Sequence, residues 1–424
     1  MAGETALLGI HNEPALASLI GEVLAMNGSK PVIVDNLEDF LHQCRGQIYG
    51  RYVMDLNLSV HGDDLTSTLT ALETLQENGL SPAEAKRRLI GISGMTPPSS
   101  GKDSLVLRAK KRGIRALQKP FNVSNLREDY VHFCTPQEGA DLIVHDPDGF
   151  FTQLTQMDRF IRRVSDGTIL QYLAKESVQE WTKEEQAALR PNLEARQKLL
   201  RERYPNLDFP GIVYLIKTNG KDEGGFAYAR GPSIIIPESR IPEFKEDWKD
   251  GPYMLDHENT HLLMNANPAV RCKMAEHLGF SGSHAVDLSH PNLHSNLVTN
   301  PDVTGHYVTV VTIQGKPVSV LPVAYYEGKY GGETLREAIR PDGRLKLKFL
   351  EIDPSAEVLK PVFDQERPRL YDLEQVTGFR EQLGGIVPYA APLDEALADI
   401  LPALLSQESP SGFLKGIDDI LRRA

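Results

Sequence analysis

The 424-residue sequence predicts an α/β domain followed by an α+β domain, with a helical segment between them. Three observations lead to this fold class. Strand-like runs alternate with helical patterns over residues 1–135, mixed-charge helical patterns fill residues 136–205, and strand-like runs surround an apolar helix in residues 206–424. A chain of this length is too long for a typical single core, so the domain boundaries are expected near residues 135 and 205.

Five apolar runs in the first segment have the length of strands: "TALLGIH", "KPVIVD", "RYVMDLNL", "RLIGISGM" and "IRALQKPF". Helical patterns such as "LEDFLHQCRG", "DLTSTLTALETLQENG" and "NVSNLREDYVHFC" lie between and after them. This alternation predicts a doubly wound, five-stranded parallel sheet with helices on both faces. Functional residues gather at the carboxyl ends of the strands in such a sheet. Those ends carry Glu13, Asp55, Ser93 and Lys119.

The ordered motifs "VMDLNL", "GISG" and "QKPF" make residues 5–130 resemble the receiver domain of two-component response regulators. The resemblance implies a flavodoxin-like fold in which Asp55 is the phosphoacceptor, Ser93 is the hydroxyl that follows the phosphoryl group, and Lys119 is its cationic partner. A carboxylate nucleophile needs a nearby cation to stabilise the charge that develops during transfer, which agrees with these roles. The resemblance also implies Mg²⁺ at the receiver site and a histidine kinase or another signalling protein as partner.

The receiver pattern is incomplete in two places. His11 and Asn12 stand where the family usually has two acids that help to hold Mg²⁺, so that Glu13 is the only acid there. Mg²⁺ prefers negatively charged oxygen ligands, and this site is therefore expected to be weakened. The fifth strand carries Ala116 and Leu117 without the family's aromatic switch residue. Two interpretations stay open: a phosphorylated receiver, and a receiver-shaped docking module that never turns over phosphate.

Residues 136–205 are expected to form a helical connector. The stretch "FFTQLTQMDRFIRRVSDGTILQYLAKE" has apolar residues at helical spacing. The next stretch, "SVQEWTKEEQAALRPNLEARQKLLRERYP", is charged and helical, with a break predicted near Pro191. Mixed charge on a helix usually marks a solvated face, so a solvated spacer is favoured over a signalling linker.

The stretch "YMLDHENTHLLMNANP" contains the motif with the clearest chemistry. It predicts a helix that ends before Pro268, with His257 and His261 four residues apart on one face and Glu258 beside them. Neutral imidazoles at this spacing can bind one Zn²⁺ together, and Glu258 can accept a proton from the attacking water. Apolar neighbours on both sides indicate that the helix is buried. The alternative is a helix with two structural histidines.

The stretch "PSIIIPESRI…YMLDHENTHLL" resembles the HExxH metallopeptidases, in which an edge strand before the helix pairs with the extended substrate. Met264 and Asn267 occupy the positions of the glycine and third histidine of metzincins, which excludes that class. The stretch "APLDEALADILPALL" instead resembles the second helix of thermolysin-like gluzincins. That resemblance implies a zincin-like α+β fold for residues 206–424, with Glu395 as the third zinc ligand and Asp399 as the acid that orients a histidine ligand. The gap of 134 positions between His261 and Glu395 is longer than those enzymes usually have.

A histidine-rich region between the two motifs is a competing source of ligands. One of its residues could ligate the metal or stabilise the oxyanion, and as a group they are expected to line the cleft. The region contains His277, His284, Asp287, His290, His294 and His306. A tyrosine could also donate a hydrogen bond to the tetrahedral intermediate, and the sequence does not choose among Tyr325, Tyr326 and Tyr389.

The composition excludes several classes of protein. A net charge of −12 argues against a nucleic-acid partner, because phosphate binding requires clustered Lys and Arg. The longest apolar runs are strand-sized, so no membrane association is expected, and the N-terminus lacks the features of a signal peptide. Three widely spaced cysteines predict reduced, buried thiols in a cytoplasmic protein.

These observations together predict a cytoplasmic, receiver-regulated zinc metallopeptidase that hydrolyses a peptide or protein substrate, with Glu258 as general base. The rival prediction is a non-catalytic signalling adaptor with a degenerate receiver and a peptidase-shaped binding domain. The residues His11 and Asn12 and the long gap before Glu395 support the rival.

Overall fold

The chain forms two compact units in a computed structural model. The N-terminal unit contains Met1–His132 and Leu193–Tyr214, and the C-terminal unit contains Phe133–Asn192 and Leu215–Ala424. The predicted connector over 136–205 is thus divided between the units, and the predicted domain boundaries stay predictions. The structure describes residues 5–10, 17–18, 20–21, 30–49, 51–56, 65–80, 82–93, 105–110, 112, 114–118, 131–146, 149–210, 212–242, 253–303, 305–355, 357–385, 392–407, 410 and 412–423.

The N-terminal unit is built on a five-stranded parallel sheet. Its strands are β1 (Thr5–Gly9), β2 (Lys30–Val34), β3 (Arg51–Asp55), β4 (Leu89–Ser93) and β5 (Arg115–Gln118). They are ordered β2-β1-β3-β4-β5, and every pair is parallel. This is the strand order of the flavodoxin-like doubly wound fold. The predicted parallel sheet is therefore confirmed, and so is the position of all five strands.

Apolar side chains cover both faces of this sheet. Leu7 and Met54 belong to one buried cluster, whereas Leu8 and Val53 belong to another. Adjacent residues of a strand point to opposite faces, so both faces are packed, as a parallel sheet requires. The helices described in this unit are α1 (Leu37–Gly46), α2 (Thr66–Glu77), α3 (Pro82–Arg88) and α4 (Leu105–Lys110).

Strand β6 (Val131–Phe133) lies where a helix is predicted from "NVSNLREDYVHFC". Val131 and Phe133 are buried and His132 between them is half-buried, which is the period of a strand. The helix prediction is wrong for these three residues, and the residues before them lie outside the described ones.

The described residues of the connector form four helices, α5 (Pro136–Ile143), α6 (Gln156–Arg162), α7 (Gly167–Ser177) and α8 (Lys183–Arg203), and a 3₁₀ turn at Phe150–Thr152. Helix α8 continues through Pro191, so the predicted break is wrong. A proline removes one backbone donor, and here the buried residues Leu189 and Leu193 hold the helix on both sides of it. In α6, the charged residues Asp158 and Arg162 are buried.

A second sheet has the order β6-β8-β10-β9, and β7 pairs with β8. Its further strands are β7 (Val178–Gln179), β8 (Val213–Thr218), β9 (Tyr228–Arg230) and β10 (Ser233–Pro237). The stretch "SIIIP", predicted as the edge strand before the metal-binding helix, is β10 and has neighbours on both sides. That prediction is wrong because the hairpin places β9 outside β10.

A larger antiparallel sheet fills the sequence between the two predicted metal-binding helices. Its main order is β11-β12-β13-β14-β15, while β18 pairs with β14 and β19 with β12. The strands are β11 (Phe280–Ser283), β12 (Tyr307–Ile313), β13 (Lys316–Tyr326), β14 (Leu345–Asp353), β15 (Lys360–Pro361), β18 (Leu370–Tyr371) and β19 (Val376–Thr377), beside a separate pair, β16 (Phe363–Asp364) and β17 (Arg367–Pro368). The predicted turn at "QGK" is confirmed, since Gln314 and Gly315 both have the positive φ of a tight hairpin.

The remaining helices of the C-terminal unit include the two that carry the predicted metal ligands. They are α9 (Tyr253–Ala266), α10 (Pro268–His277), α11 (Pro291–His294), α12 (Leu335–Ala338), α13 (Phe379–Gln382), α14 (Leu393–Leu405) and α15 (Gly412–Arg422). Helix α9 packs against α14 despite the sheet inserted between them in sequence. Across the described ranges, we find no helix with the length and apolarity needed to cross a lipid bilayer.

Candidate metal centre

Two buried helices bring the metal-binding motif together. Residues four apart lie on one face of a helix, so α9 presents His257 and His261 side by side. Helix α14 is apolar around most of its surface, and its buried leucines and isoleucine hold it in the core. Near the start of that helix, Glu395 faces the two histidines.

The side chains of His257, His261 and Glu395 converge. Their potential ligand atoms all lie within 4.8 Å of one another. The two imidazole Nε2 atoms are 3.3 Å apart. The Glu395 carboxylate lies 3.4 Å from His257 Nε2 through Oε2 and 3.9 Å from His261 Nε2 through Oε1.

This donor set fits Zn²⁺. Zinc takes nitrogen and oxygen ligands at about 2.0–2.2 Å in tetrahedral geometry, so two ligand atoms on one ion should be about 3.3 Å apart. The separation of 3.3 Å between the imidazole Nε2 atoms of His257 and His261 agrees with that value. Three protein ligands with a fourth position free for water is the usual arrangement of a catalytic zinc site.

Asp399 orients the first histidine. Its Oδ1 atom lies 3.1 Å from His257 Nδ1 and also accepts a hydrogen bond from the Tyr253 hydroxyl. When Nε2 loses its proton, as metal binding requires, a proton held on Nδ1 in this way leaves the lone pair of Nε2 directed towards Glu395 and His261. Asp399 therefore stands where the sequence predicts the residue that orients a histidine ligand.

A loop residue fixes the carboxylate of Glu395. Asn300 donates a hydrogen bond from Nδ2 to Glu395 Oε1 at 2.6 Å. The same loop is tied to strand β9, because Asp302 accepts a hydrogen bond from the Ala229 amide at 2.7 Å. Burial raises the pKa of Asp302 well above its usual range, and the negative charges of Glu258 and Glu395 add to the effect.

A buried ionic network from the connector holds this loop in place. Arg162 on α6 pairs with Asp158 at 2.6 Å and with Glu223 at 2.8 Å. Asp158 accepts hydrogen bonds from the backbone amide and the hydroxyl of Thr299, both at 2.9 Å, while Arg162 donates to the Thr299 carbonyl. Thr299 precedes Asn300, so α6 sets the position of the side chain that holds Glu395.

Glu258 is placed for proton transfer. It is buried, and among the described residues its Oε2 atom has no hydrogen-bond partner. Burial raises the pKa of Glu258 to about 7, against the opposing effect of the nearby His257 charge. A carboxylate with a pKa near neutrality is suited to accept and return a proton at pH 7.

The electrostatics of the cluster give the two imidazoles very different pKa values. Burial opposes charge on His257, but hydrogen bonds to Asp399 and Glu395 outweigh it and raise the pKa of His257 to about 11. Burial lowers the pKa of His261 to about 4. For Glu395, burial opposes ionisation, and the interaction with His257 nevertheless lowers its pKa to about 2. The two histidines thus differ because hydrogen bonds to carboxylates determine the pKa of His257, whereas burial determines that of His261.

The histidine-rich region supplies no ligand to this cluster within the described part of the chain. His277 packs against Phe413, and His290 lies over Phe363. The other three histidines of the region line a cavity of about 710 Å³, and they are His284, His294 and His306. Asp287 and Asn300 line the same cavity. The expectation that the region lines a cleft therefore holds for three of its five histidines.

The predicted tyrosines take other positions. The Tyr326 hydroxyl donates a hydrogen bond to the Glu333 carboxylate instead of pointing to the metal cluster. Tyr325 lies on β13 opposite Lys346 of β14, and burial raises the pKa of its hydroxyl. Tyr389 lies outside the described residues. Sequence reasoning missed Tyr253, although it stands one helical turn before His257, and it missed Asn300 and Asp302, which no motif marks.

The receiver-type residues are described in part. Asp55 ends β3 and Ser93 ends the neighbouring strand β4, so both lie at the carboxyl edge of the sheet. Both side chains are buried. The other predicted members of this site, Glu13 and Lys119, lie outside the described residues, as do His11 and Asn12. Ala116 is buried in β5.

Several solved structures that are similar to this chain are CheY-like proteins or receiver domains. One is the receiver domain of a sensor histidine kinase from Pseudomonas aeruginosa with magnesium in its active-site cleft, 22% identical over 30% of this chain and 92% of that chain, with a TM-score of 0.22. Another is the chemotaxis protein CheY4 of Vibrio cholerae, 15% identical over 29% of this chain and 92% of that chain, with a TM-score of 0.22. A CheY-like receiver domain from Methylobacillus flagellatus is 22% identical over 29% and 92% of the two chains, with a TM-score of 0.21.

Scores of this size support no conclusion by themselves, and the fold of the N-terminal unit rests on its strand order. The strand order β2-β1-β3-β4-β5 is the order found in CheY-like receiver domains. Asp55 and Ser93 lie at the carboxyl edge of this sheet. No protein-family model matches the chain. No curated protein matches it either.

Proposed function

We propose that the C-terminal unit is a zinc-dependent peptidase and that the N-terminal unit is a signalling receiver that regulates it. The observation that carries the hydrolase proposal is the convergence of His257, His261 and Glu395 beside a buried Glu258 carboxylate. Two structural histidines would not require a third ligand from a distant helix. Nor would they require a buried carboxylate beside them with an oxygen that no described residue hydrogen-bonds.

In this proposal His257, His261 and Glu395 hold the ion. When bound, zinc acidifies a water molecule and polarises the scissile carbonyl. Glu258 accepts the proton of the attacking water and returns it to the leaving amine. Asp399 keeps His257 in the correct tautomer, and Asn300 keeps the Glu395 carboxylate turned towards the histidines. Burial of the cluster strengthens each of these electrostatic interactions.

Metal content tests the proposal first. The purified full chain should contain about one zinc per molecule, measured by elemental mass spectrometry, and both His257→Ala and Glu395→Ala should lose it. Loss in the His257 variant alone would move the third ligand elsewhere. If the protein takes up no zinc even after reconstitution, the adaptor with a peptidase-shaped domain replaces the hydrolase.

Catalysis is tested separately with Glu258→Gln. This variant should keep its zinc and lose at least about 100-fold in peptide hydrolysis, because a general base contributes 10²–10⁴-fold. Full activity in the variant would refute Glu258 as general base. A zinc-loaded wild type that cleaves no peptide would favour the adaptor.

For the N-terminal unit we propose phosphorylation of Asp55 by a histidine kinase or a related signalling protein. Support comes from its place at the carboxyl end of β3, beside Ser93 on the adjacent strand. A Mg²⁺ ion would neutralise the phosphoryl charge there. Free thiols at Cys44 and Cys272 are typical of a reducing compartment, so we place the protein in the cytoplasm. A small phosphodonor with Mg²⁺ should label the wild type but not Asp55→Ala, and equal labelling would exclude this residue.

A further inference from the structure

The cavity of about 710 Å³ adjoins the metal cluster. Two of its lining residues show that it lies beside the cluster. Asn300 lines the cavity and donates its amide hydrogen bond to Glu395, and Leu393 lines it two residues before Glu395 on α14. A molecule in the cavity would therefore lie within reach of the site at which hydrolysis is proposed.

Apolar atoms form somewhat more than half of the surface that lines this cavity. Leu297, Leu321 and Val323 line it and belong to one buried hydrophobic cluster. Val298 and Ala324 also line it but are only half-buried, which leaves part of each side chain open to an incoming group. Apolar surface that remains accessible in a concave site gains free energy when an apolar group covers it.

The charges around the cavity discriminate between ligands. The described residues that line it include no lysine or arginine, and its only carboxylate, Asp287, is exposed. A carboxylate or phosphate entering this space would lose its hydration without finding a lysine or arginine among the described lining residues. His306 does not supply a positive charge for such a ligand, because burial lowers the pKa of its imidazole and keeps it neutral at pH 7.

Neutral polar groups lie between the apolar walls. They include Thr299 and Asn300. Groups of this kind can pair with the amides of a peptide backbone while the walls hold a side chain. The volume also falls within the ~300–1,000 Å³ range of ligand pockets.

We propose that this cavity binds an uncharged, apolar side chain of a peptide, adjacent to the bond that is hydrolysed, and that it rejects acidic side chains. This inference names the substrate class of the proposed peptidase and rests on that function for its biological meaning. Binding itself does not require hydrolysis, so the two can fail independently.

The test measures binding to zinc-loaded full-length protein carrying Glu258→Gln, which prevents turnover. The probes are fluorescein-labelled ten-residue peptides identical except for one central residue, which is leucine, phenylalanine, alanine or aspartate. We expect the leucine and phenylalanine peptides to bind about tenfold or more tightly than the aspartate peptide, since one or two buried methylenes account for that ratio. Fluorescence anisotropy gives the Kd values.

Filling the cavity should change this preference. Ala324→Phe, added to the same background, is expected to weaken binding of the phenylalanine peptide about tenfold relative to the alanine peptide. Ala285→Phe is the matched control, because Ala285 is exposed on the same region and does not line the cavity. It should leave the preference unchanged. Circular dichroism verifies folding, and Val298→Phe replaces Ala324→Phe if the latter does not fold.

Two results would overturn the inference: equal affinity for the leucine and aspartate peptides, or an unchanged preference in a folded cavity-filling variant. Cleavage by the wild type is measured in parallel. Selective binding without cleavage would refute the hydrolase and leave the cavity assignment standing, whereas cleavage without selectivity would do the reverse.

Discussion

Asn300 offers a sharp test of how the metal cluster is held. Its amide donates to Glu395 Oε1 at 2.6 Å, and the rest of the Glu395 carboxylate faces the two histidines. The substitution Asn300→Ala removes this bond and leaves the three proposed ligands intact. The expected result is a protein that folds normally and binds zinc more weakly.

The magnitude follows from what the hydrogen bond does. A hydrogen bond to a charged group contributes about 1.5–3 kcal/mol, and part of this is lost from both the zinc-free and the zinc-bound states. The part specific to binding is the ordering of a glutamate side chain, about 1.5–2 kcal/mol. At 1.4 kcal/mol per decade this corresponds to a Kd roughly 10–30-fold higher, within the 10–100-fold range typical of residues that support metal ligands.

The assay is competition for zinc with a chromophoric chelator, beside thermal unfolding to verify the fold. Asn296→Ala is the matched control, because Asn296 lies on the same loop and its amide contacts Asn292 and Ser295 instead of Glu395. Its Kd should equal that of the wild type. An Asn300→Ala protein with unchanged zinc affinity would refute the view that this loop positions the third ligand.

Further predictions concern the buried network and the thiols. Arg162→Met leaves the buried Asp158 and Glu223 without their cation, and we expect a loss of about 3–5 kcal/mol and a thermal midpoint lower by roughly 6–20 °C in calorimetry. Zinc affinity measured by chelator competition should fall with it, because the same network holds the loop of Asn300. Burial raises the pKa of Cys44 to about 12, so only about one molecule in 10⁴ carries its thiolate at pH 8, and iodoacetamide followed by mass spectrometry should leave it unlabelled in the folded chain. This raised pKa also means that the contribution of Cys44 to stability is complete below about pH 8.5 and is lost as the pH rises towards 12.

Each of these has its own control. Arg159→Met changes a half-buried arginine of the same helix and should shift stability by no more than about 0.5 kcal/mol. An Arg162→Met protein as stable as this control would contradict the importance of the network. Cys272 is half-buried and should react before Cys44, which corrects the expectation that all three thiols are buried. Rapid labelling of Cys44 without denaturant would show that its burial is wrong.

Local patterns predicted much of the fold. The alternation of apolar runs and helices in the first 135 residues predicted the parallel sheet, since a strand buried on both faces must be apolar throughout. The two-residue turn at Gln314 and Gly315 was predictable because the turn type demands positive φ. Errors arose where tertiary packing overrides local preference, as at Pro191, which stays within α8 between buried leucines.

The metal site, too, was predictable from the sequence only in part. The spacing of His257 and His261 follows from helical geometry and is readable in the sequence. The pairing of Glu395 with Asp399 on an apolar helix is also readable, although its distance along the chain makes the match ambiguous. The structure removes part of that ambiguity, because a whole antiparallel sheet is inserted between two helices that pack together.

The sequence by itself determined the types of residue that can hold a metal and the elements that carry them, because helical and strand periods are local properties of the chain. Only the tertiary structure decided what surrounds those residues. Asn300 contacts Glu395 across 95 positions of sequence. Asp158 and Arg162 of the connector hold the loop that carries Asn300 through contacts with Thr299, across 141 and 137 positions. Contacts of this range depend on how the elements pack, and buried polar groups must find partners wherever packing places them.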